Sequence, residues 1–390
     1  MKKILFSAKN FYPFFGGAEI SMYNLLRRLT EENEIHVVCQ GKKNEDIKKD
    51  GIYIHRRKAT INIPRFKQVQ IFLENKRWIK ILNDFMKENE PEIILTQLEF
   101  APSTIDIAKK YNIPSFLFIR DYFHFCPIGF VNGINCNKKC CFCIPKVNTR
   151  LYNFLKYGQD ISQYIFTMKM LKWSRRAVKN ANIVIANSAF LSNLTKKWFN
   201  VDTEFIYPFI DLKSIKSKEY KREYITFIKP DILKGAKIFI DIAKRLKDKK
   251  FLCVGKLPSF FEYKKDFLSL KNVKYIEWSN NMAEIYSQTK ILLAPSIWPE
   301  PFGRVCVEAM VNGIPCIVSN RGGLPEVIGD AGITINNIFN IKSWTKAINI
   351  LNENRQLYQA FSKKSKQRAK KFDFEKQYKK FKSILNPFTS

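Results

Sequence analysis

Short apolar runs alternate with amphipathic stretches along the whole chain. The strand-like runs cover residues 3–8, 35–39, 53–56, 93–96, 115–119, 182–186, 224–228, 251–255, 273–278, 291–294 and 315–319. Amphipathic segments with helical spacing, such as residues 19–29, 67–87 and 103–111, lie between them. Strands that alternate with helices predict parallel sheets with helices on both faces, so the fold class is α/β.

One strand–loop–helix–strand unit, residues 294–335, has polar groups and glycines where its elements meet. An apolar strand ends at Pro295, and a helix is predicted from about Gly303 to Asn312. The next strand leads into Gly322-Gly323. Ligands of open α/β sheets bind at the carboxyl ends of strands, so this unit is the first candidate for a site.

Two carboxylates, Glu300 and Glu308, lie before and inside the predicted helix. At ~1.5 Å of rise per residue they can be up to roughly 12 Å apart. This separation is too large for a shared proton and suits hydroxyl groups at the two ends of an elongated ligand. The alternative is an ordinary βαβ unit with a solvated glutamate on its helix.

Backbone N–H groups of Phe302, Gly303 and Arg304 form the positive end of the helix and predict an anion site between the carboxylates. Gly322 and Gly323 would let the backbone approach the same anion. Two hydroxyl-bearing groups that flank a diphosphate describe a nucleoside-diphosphate sugar.

The stretch E-P-F-G-R-V-C-V-E-A-M, followed by G-I-P and R-G-G-L-P-E, resembles the donor-site signature of retaining glycosyltransferases of family 4. The resemblance implies the GT-B architecture, with two Rossmann-like doubly wound domains that face a central cleft. It implies a glycosyltransferase for cell-surface glycans that moves a hexose with retention of configuration. In this resemblance Glu300 contacts the donor sugar and Glu308 contacts the ribose hydroxyls.

A glycine pair after the first strand, Gly16 and Gly17, begins the sequence G-G-A-E, which also matches the family. The resemblance implies that this loop contacts the donor phosphates or the acceptor. Without the resemblance, a glycine pair is equally compatible with a tight turn.

The strand at residues 115–119 leads to Arg120 and Asp121, which we take as candidate catalytic residues. Many members of the family have His-Asp-Tyr at this position. Arginine cannot accept a proton near neutral pH, although it can bind phosphate or a sugar hydroxyl. His124 is an alternative base or a solvated loop residue. Because Arg120 replaces that histidine, a non-catalytic protein that binds or senses a sugar nucleotide remains an alternative.

Two lysines, Lys229 and Lys234, lie in the strand-to-helix loop K-P-D-I-L-K-G. They can direct two ammonium groups at one diphosphate, and the resemblance matches Lys234-Gly235 to a family motif. A solvated loop is the alternative. No well-placed Asp-x-Asp pair is present for a metal, so we expect catalysis to require no cofactor.

A cluster of cysteines, Cys126, Cys136, Cys140, Cys141 and Cys143, contains five of the nine in the chain. Four thiolates, from Cys126, Cys136, Cys140 and Cys143, could hold structural Zn²⁺ or an iron–sulfur cluster. Disulfides, or thiols without a special role, remain alternatives. The resemblance implies a structural loop over the cleft.

The expected domains are residues 1–206 on the acceptor side, with the cysteine-rich loop at 120–147, and residues 207–371 for the nucleotide sugar. Residues 372–390 are expected to form a helix that crosses back to the first domain. The motif Y-P-F-I-D at 207–211 resembles the linker of the family.

The 67 basic and 35 acidic residues give a net charge of +32, which requires an anionic partner. No apolar run reaches the ~18–20 residues of a membrane span, and the N-terminal apolar stretch is short for a signal peptide. We therefore expect a cytoplasmic protein at the inner face of the membrane, with a glycan or lipid-linked acceptor.

The apolar residues of the helix at 67–87 are predicted to be mostly core, and the alternative is that some of them, with Phe66 and Trp78, contact a membrane surface. The lysines of a basic helix at 363–382 are further candidates for membrane contact. Charge alone would also fit a nucleic-acid-binding protein. No nucleic-acid-binding motif is recognised, and the basic residues are scattered along the chain rather than clustered.

Overall fold

A computed structural model describes the chain except for residues 14–15, 64–65, 127–159, 218–220, 258–262, 278, 280 and 389–390, and the side chains of residues 160–164. The chain divides into two compact units. The first contains Met1–Phe209 and Tyr378–Ser390, and the second contains Ile210–Gln377. The first unit is therefore built from two separate segments of the chain.

The first unit contains an eight-stranded sheet with the order β3-β4-β2-β1-β5-β6-β7-β8. Its strands are β1 (Lys3–Ala8), β2 (Glu34–Gln40), β3 (Glu45–Lys49), β4 (Ile52–Arg57), β5 (Ile93–Gln97), β6 (Ser115–Ile119), β7 (Ile183–Ala186) and β8 (Glu204–Phe205). All neighbours are parallel except β3 and β4. The edge strand β3 is not among the predicted strands, because its charged residues hide the apolar alternation.

The helices of the first unit are α1 (Gly17–Leu29), α2 (Lys67–Asn89), α3 (Ala101–Lys110), α4 (Asp160–Asn180) and α5 (Ala189–Phe199). The second unit has a parallel six-stranded sheet with the order β11-β10-β9-β12-β13-β14. These strands are β9 (Tyr224–Ile228), β10 (Phe251–Val254), β11 (Val273–Ile276), β12 (Thr289–Ala294), β13 (Cys316–Ser319) and β14 (Gly332–Ile335). This strand order is that of a Rossmann fold, and the predicted α/β class is confirmed.

The helices of the second unit follow its strands in βα alternation. They are α6 (Ala236–Arg245), α7 (Lys264–Leu268), α8 (Met282–Gln288), α9 (Arg304–Val311), α10 (Leu324–Ile328), α11 (Ile341–Glu353) and α12 (Arg355–Ala369). A last helix, α13 (Phe374–Leu385), leads from the second unit back into the first.

Trp78 of α2 is fully buried, so its predicted place in the core is confirmed and the membrane alternative is wrong. Its indole Nε1 donates a 2.9 Å hydrogen bond to Ser7 Oγ, and its ring stacks on Phe100 at 4.4 Å between centroids. The side chain therefore contributes to the hydrophobic core beneath the sheet.

The basic tail is two helices and not the single predicted helix at 363–382. The helix α12 ends at Ala369, and Asp373 starts α13 by accepting a 3.1 Å hydrogen bond from Glu375 N. Phe381 is fully buried and lies 5.8 Å from Phe118 between ring centroids. This aromatic residue stabilises the first unit and cannot face a membrane.

Within the described part of the chain, every helix is too short or too polar to cross a lipid bilayer.

Candidate functional site

Two loops at the carboxyl ends of β9 and β12 lie in contact. The backbone oxygen of Leu233 accepts hydrogen bonds from Ile297 N at 2.9 Å and Trp298 N at 3.0 Å. Gly235 has φ +90°, and a Cβ atom there would lie 2.0 Å from the Pro295 oxygen. Glycine is therefore required at residue 235, and the contact brings Lys234 close to residues 295–300.

Lys234 and Glu300 form an ion pair between Nζ and Oε1. The Ser296 hydroxyl donates a 2.6 Å hydrogen bond to the same carboxylate oxygen, and the Lys234 ammonium lies 5.0 Å from the centroid of the Trp298 ring. Glu300 is only 8% exposed, so the ammonium and the hydroxyl compensate much of the cost of burying its charge. The structure thus brings together two of the predicted catalytic residues.

Gly322 and Gly323 pack against the backbone of Glu300. The Gly323 N–H donates a 2.7 Å hydrogen bond to the backbone oxygen of Glu300, and Gly322 forms an isolated β-bridge with Glu300. The glycine pair therefore positions the glutamate, a role that the sequence pattern does not predict. Its contact with a bound anion remains a prediction.

Gly303 precedes α9 with φ +115°, a conformation that favours glycine. Arg304 is the first residue of α9, and Phe302 is buried with its ring 5.6 Å from that of Phe372. The predicted start of the helix near Gly303 is correct. Its first N–H groups lie at the positive end of the helix dipole, and their contact with a bound anion stays a prediction.

Glu308 lies inside α9 and is 6% exposed. Arg304 Nε donates to Glu308 Oε1 at 2.5 Å, and the Tyr286 hydroxyl donates to Oε2 at 2.7 Å. The sequence predicts a loop at residues 279–287, whereas most of this stretch is α8. Ile285 and Tyr286 follow Met282 with helical spacing, and this pattern could have identified Tyr286 as buried.

Lys229 follows β9 with φ +64° and is exposed. Its amide donates a 2.7 Å hydrogen bond to the Val254 oxygen, and its own backbone oxygen accepts from Asp231 N at 2.8 Å. These bonds fix the backbone of the loop that contains both lysines.

The first unit contains the other predicted site residues. Gly16 and Gly17 are exposed at the start of α1, where Gly16 N donates to Glu19 Oε2 at 3.0 Å. The side chain of Glu19 is buried and caps the helix. The glycine pair is thus exposed at the start of the helix that follows β1.

Arg120 follows β6 and is buried. Its Nη2 lies 3.0 Å from Met22 Sδ, and its guanidinium lies 4.9 Å from the centroid of the Phe118 ring. Burial lowers the pKa of Arg120 to about 10, while the charge of Glu19 acts in the opposite direction. The guanidinium remains protonated at neutral pH and cannot act as a base.

Asp121 is half-buried, and its Oδ1 accepts a 2.8 Å hydrogen bond from Phe123 N. Burial raises the pKa of Asp121 to about 6. His124 is buried, with Nδ1 2.6 Å from Ser174 Oγ, so its interpretation as a solvated loop residue is wrong. Burial lowers the pKa of His124 to about 4 and keeps the ring neutral at physiological pH.

Of the four candidate thiolate ligands, only Cys126 lies within the described residues, where it is buried after β6. Cys136, Cys140 and Cys143 lie outside them, and so does Cys141. The metal site and its disulfide alternative therefore stay predictions.

Comparison with protein families gives two matches that together cover most of the chain. Residues 15–214 match the family described as Glycosyltransferase Family 4, and residues 211–368 match Glycosyl transferases group 1. The chain is 30% identical over 203 residues to N-acetyl-alpha-D-glucosaminyl L-malate synthase of Bacillus anthracis. That match covers 45% of this chain and 52% of the relative, so it spans about half the length of that relative.

Solved structures match over nearly the whole length. Sucrose-phosphate synthase from Thermosynechococcus elongatus has a TM-score of 0.76 at 15% identity, covering 100% of this chain and 99% of that one. Anabaena HepE, in complex with UDP-glucose, has a TM-score of 0.71 at 16% identity, and the match covers 99% of this chain and 100% of that one. These neighbours are glycosyltransferases of the GT-B fold, and the predicted fold is confirmed.

Proposed function

Because this chain belongs to Glycosyltransferase Family 4, we propose that it moves a hexose from a nucleoside-diphosphate sugar to an acceptor with retention of configuration. The observation that carries the proposal is the ion pair between Lys234 and Glu300, in the same unit as the start of α9 at Gly303. A carboxylate suits sugar hydroxyls, whereas an ammonium and a helix N-terminus suit phosphate.

In the proposed reaction, the bond between the anomeric carbon and the phosphate oxygen breaks, and the diphosphate takes the electron pair. Lys234, Lys229 and the N–H groups at the start of α9 stabilise the developing negative charge. The acceptor oxygen bonds to the same face of the anomeric carbon. Its proton passes to the departing phosphate oxygen, so no side chain is needed as the base, and the reaction uses no metal or cofactor.

Glu300 orients the hydroxyl groups of the donor sugar in this proposal. Its carboxylate already accepts hydrogen bonds from Lys234 and Ser296, which restrict its conformation before a donor binds. A restricted carboxylate loses little entropy when the sugar binds. Glu308 binds the ribose hydroxyls, and Gly16 and Gly17 contact the donor phosphates or the acceptor.

A second candidate function is a non-catalytic protein that binds a sugar nucleotide. Arg120 favours it, because a buried guanidinium stands where many members of the family have histidine. In the catalytic proposal, Arg120 supplies positive charge, and Asp121 is a candidate catalytic residue whose pKa burial raises to about 6. Measured transfer or donor hydrolysis would exclude the non-catalytic candidate.

The test is a thermal-shift screen of the full chain against UDP-, GDP- and ADP-sugars, followed by NMR of the product. UDP-glucose is tested first because HepE was solved in complex with it. We expect one nucleotide to stabilise the protein, and the anomeric proton of the product to retain the donor configuration. No stabilisation by any nucleotide sugar, or an inverted product, would contradict the proposal.

The acceptor in this proposal is a glycan or a lipid-linked molecule used to build cell-surface glycans. The net charge of +32 supports a position at an anionic membrane surface, on the cytoplasmic side. The cysteine-rich segment would serve as a structural element near the acceptor, with or without Zn²⁺ or an iron–sulfur cluster. Metal analysis of the purified protein tests that expectation.

A further inference from the structure

Tyr286 lies on α8, outside the motif that carries the family resemblance, and its side chain is 0% exposed. Asn281 is the N-cap of this helix, and its side chain accepts a 3.2 Å hydrogen bond from Glu284 N. This cap fixes the start of a short helix and thereby the direction of the Tyr286 ring. The buried hydroxyl then has one acceptor, Glu308 Oε2, at 2.7 Å.

The carboxylate of Glu308 is held by one donor on each oxygen. Tyr286 reaches Oε2 from α8, and Arg304 reaches Oε1 at 2.5 Å from one turn earlier on α9. A carboxylate oxygen can accept two hydrogen bonds, so each oxygen keeps capacity for a second donor. A rigid carboxylate with one further acceptor site on each oxygen matches two vicinal hydroxyl groups.

We propose that Tyr286 is a positioning residue that sets the selectivity of this protein for nucleotides with an intact ribose diol. The inference rests on the proposed function, in which Glu308 binds that diol. Tyr286 fixes the plane of the carboxylate, so that both of its oxygens face the two ribose hydroxyls. Without the tyrosine hydroxyl, the carboxylate is free to rotate about its last torsion, and one of the two hydrogen bonds is lost.

The environment of Tyr286 keeps it a permanent donor. Burial, and next the negative charge of Glu308, raise the pKa of Tyr286 well above its usual value. The hydroxyl is therefore protonated throughout the physiological pH range. Tyr286 therefore remains a hydrogen-bond donor to Glu308 throughout that range.

The experiment compares binding of a ribonucleoside diphosphate with that of its 2′-deoxy and 3′-deoxy counterparts, using the base identified by the thermal-shift screen. Wild type should prefer the ribonucleotide about tenfold, the value of one hydrogen bond to a charged group. Tyr286→Phe should bind the deoxynucleotides as wild type does and the ribonucleotide about tenfold more weakly. Its kcat at saturating donor should change little, because the reacting atoms are elsewhere.

Tyr358→Phe is the matched control. Tyr358 lies in the same unit and donates its hydroxyl to the Lys290 oxygen at 3.0 Å, away from Glu308. This variant loses the same atom from a half-buried tyrosine and should keep the wild-type ribose preference. Glu308→Gln retains an acceptor for Tyr286 and should lose the preference, even if Tyr286→Phe does not fold.

The outcomes separate the inference from the function on which it rests. If wild type binds no nucleoside diphosphate, the proposed function itself fails. If wild type binds and Tyr286→Phe keeps the full ribose preference while melting at a lower temperature, Tyr286 only stabilises the fold and the inference is overturned. An unchanged preference in Glu308→Gln also overturns it, because Tyr286 would then have no diol-binding group to orient.

Discussion

Gly322 lies against the backbone of Glu300 so closely that a Cβ atom at residue 322 would be 2.1 Å from the backbone oxygen of Glu300. Gly322 also has φ +63°. Any other residue type would therefore push Glu300 away from Lys234 and Ser296. The conformation of one glycine thus controls the position of a predicted catalytic carboxylate.

Gly322→Ala should lower the free energy of unfolding by roughly 2–5 kcal/mol, since it adds an unfavourable backbone conformation to a clash with backbone atoms. Donor binding should weaken as well. Gly313→Ala is the control, because Gly313 has a similar φ of +67° but faces the flexible side chain of Lys366. Chemical denaturation measures both variants, and equal losses would contradict this account.

Lys234→Ala should lower turnover by about 10²–10³-fold, as expected for the loss of one group that stabilises the transition state. Lys237→Ala serves as the control, because Lys237 lies one turn further along and pairs with Asp241 at 2.6 Å on the surface of α6. Steady-state kinetics with the identified donor measures both variants. Near-normal turnover in Lys234→Ala would refute the proposed role of this lysine.

Gln97 at the end of β5 is fully buried, and neither atom of its amide has a hydrogen-bond partner within the described residues. Gln97→Met should therefore raise the free energy of unfolding by about 1–2 kcal/mol, because it removes an unsatisfied amide. Gln70→Met should be destabilising, since Gln70 donates a 2.7 Å hydrogen bond to Glu74. Urea denaturation measures the free energy of unfolding of both variants. A loss of stability in Gln97→Met would show that the Gln97 amide has hydrogen-bond partners in the folded protein.

His124 should make folding sensitive to acid. Its pKa is about 4 in the folded protein, whereas the unfolded chain takes up the proton near pH 6.5. The folded pKa is the lower one, so the contribution of about 3 kcal/mol is present above pH 6.5 and is lost as the pH falls towards 4. Asp121, with its raised pKa, has the opposite slope between about pH 6 and pH 4, because acid stabilises its folded form.

Comparison of wild type with His124→Gln isolates the histidine, because Asp121 contributes equally to both proteins. The difference in unfolding free energy between the two should shrink as the pH falls from 7 to 4. Parallel stability curves over that range would show that His124 does not titrate as its burial requires.

Binding to vesicles that contain anionic lipid should depend on three exposed lysines near α13, namely Lys371, Lys376 and Lys379. Each contributes about 1 kcal/mol near an anionic surface, so replacing all three with glutamine should weaken flotation at least about tenfold. The charge-matched control replaces Lys264, Lys265 and Lys271, which are exposed on the second unit. An equal loss of vesicle binding in both variants, or binding that does not depend on lipid charge, would contradict the proposed membrane contact near α13.

Much of the site in the second unit could be predicted, because its elements are indicated by residues that are adjacent in the sequence. A strand followed by Pro295, and a helix that begins after Gly303, are patterns of adjacent residues. The contact of Tyr286 with Glu308 is different, because it joins two helices that the sequence separates. Hydrophobic spacing can predict that Tyr286 is buried, but no local rule names its acceptor.

In the first unit as well, contacts between residues that are distant in the sequence could not be predicted. Trp78 was compatible with either the core or a membrane surface, and only its hydrogen bond to Ser7, 71 residues earlier, decides between them. Arg120 was identified correctly as unable to accept a proton, but its enclosure by Phe118 and Met22 depends on tertiary packing.

The return of α13 to the first unit determines the order in which the protein can assemble as it is synthesised. Residues 1–209 are synthesised well before Phe381 and Leu385, whose side chains are buried in the folded protein. The whole of the second unit lies between these two segments in the sequence. The first unit therefore cannot complete its core until the second unit has been synthesised, and until then Phe116, Phe118 and Phe209 lack their ring contact with Phe381.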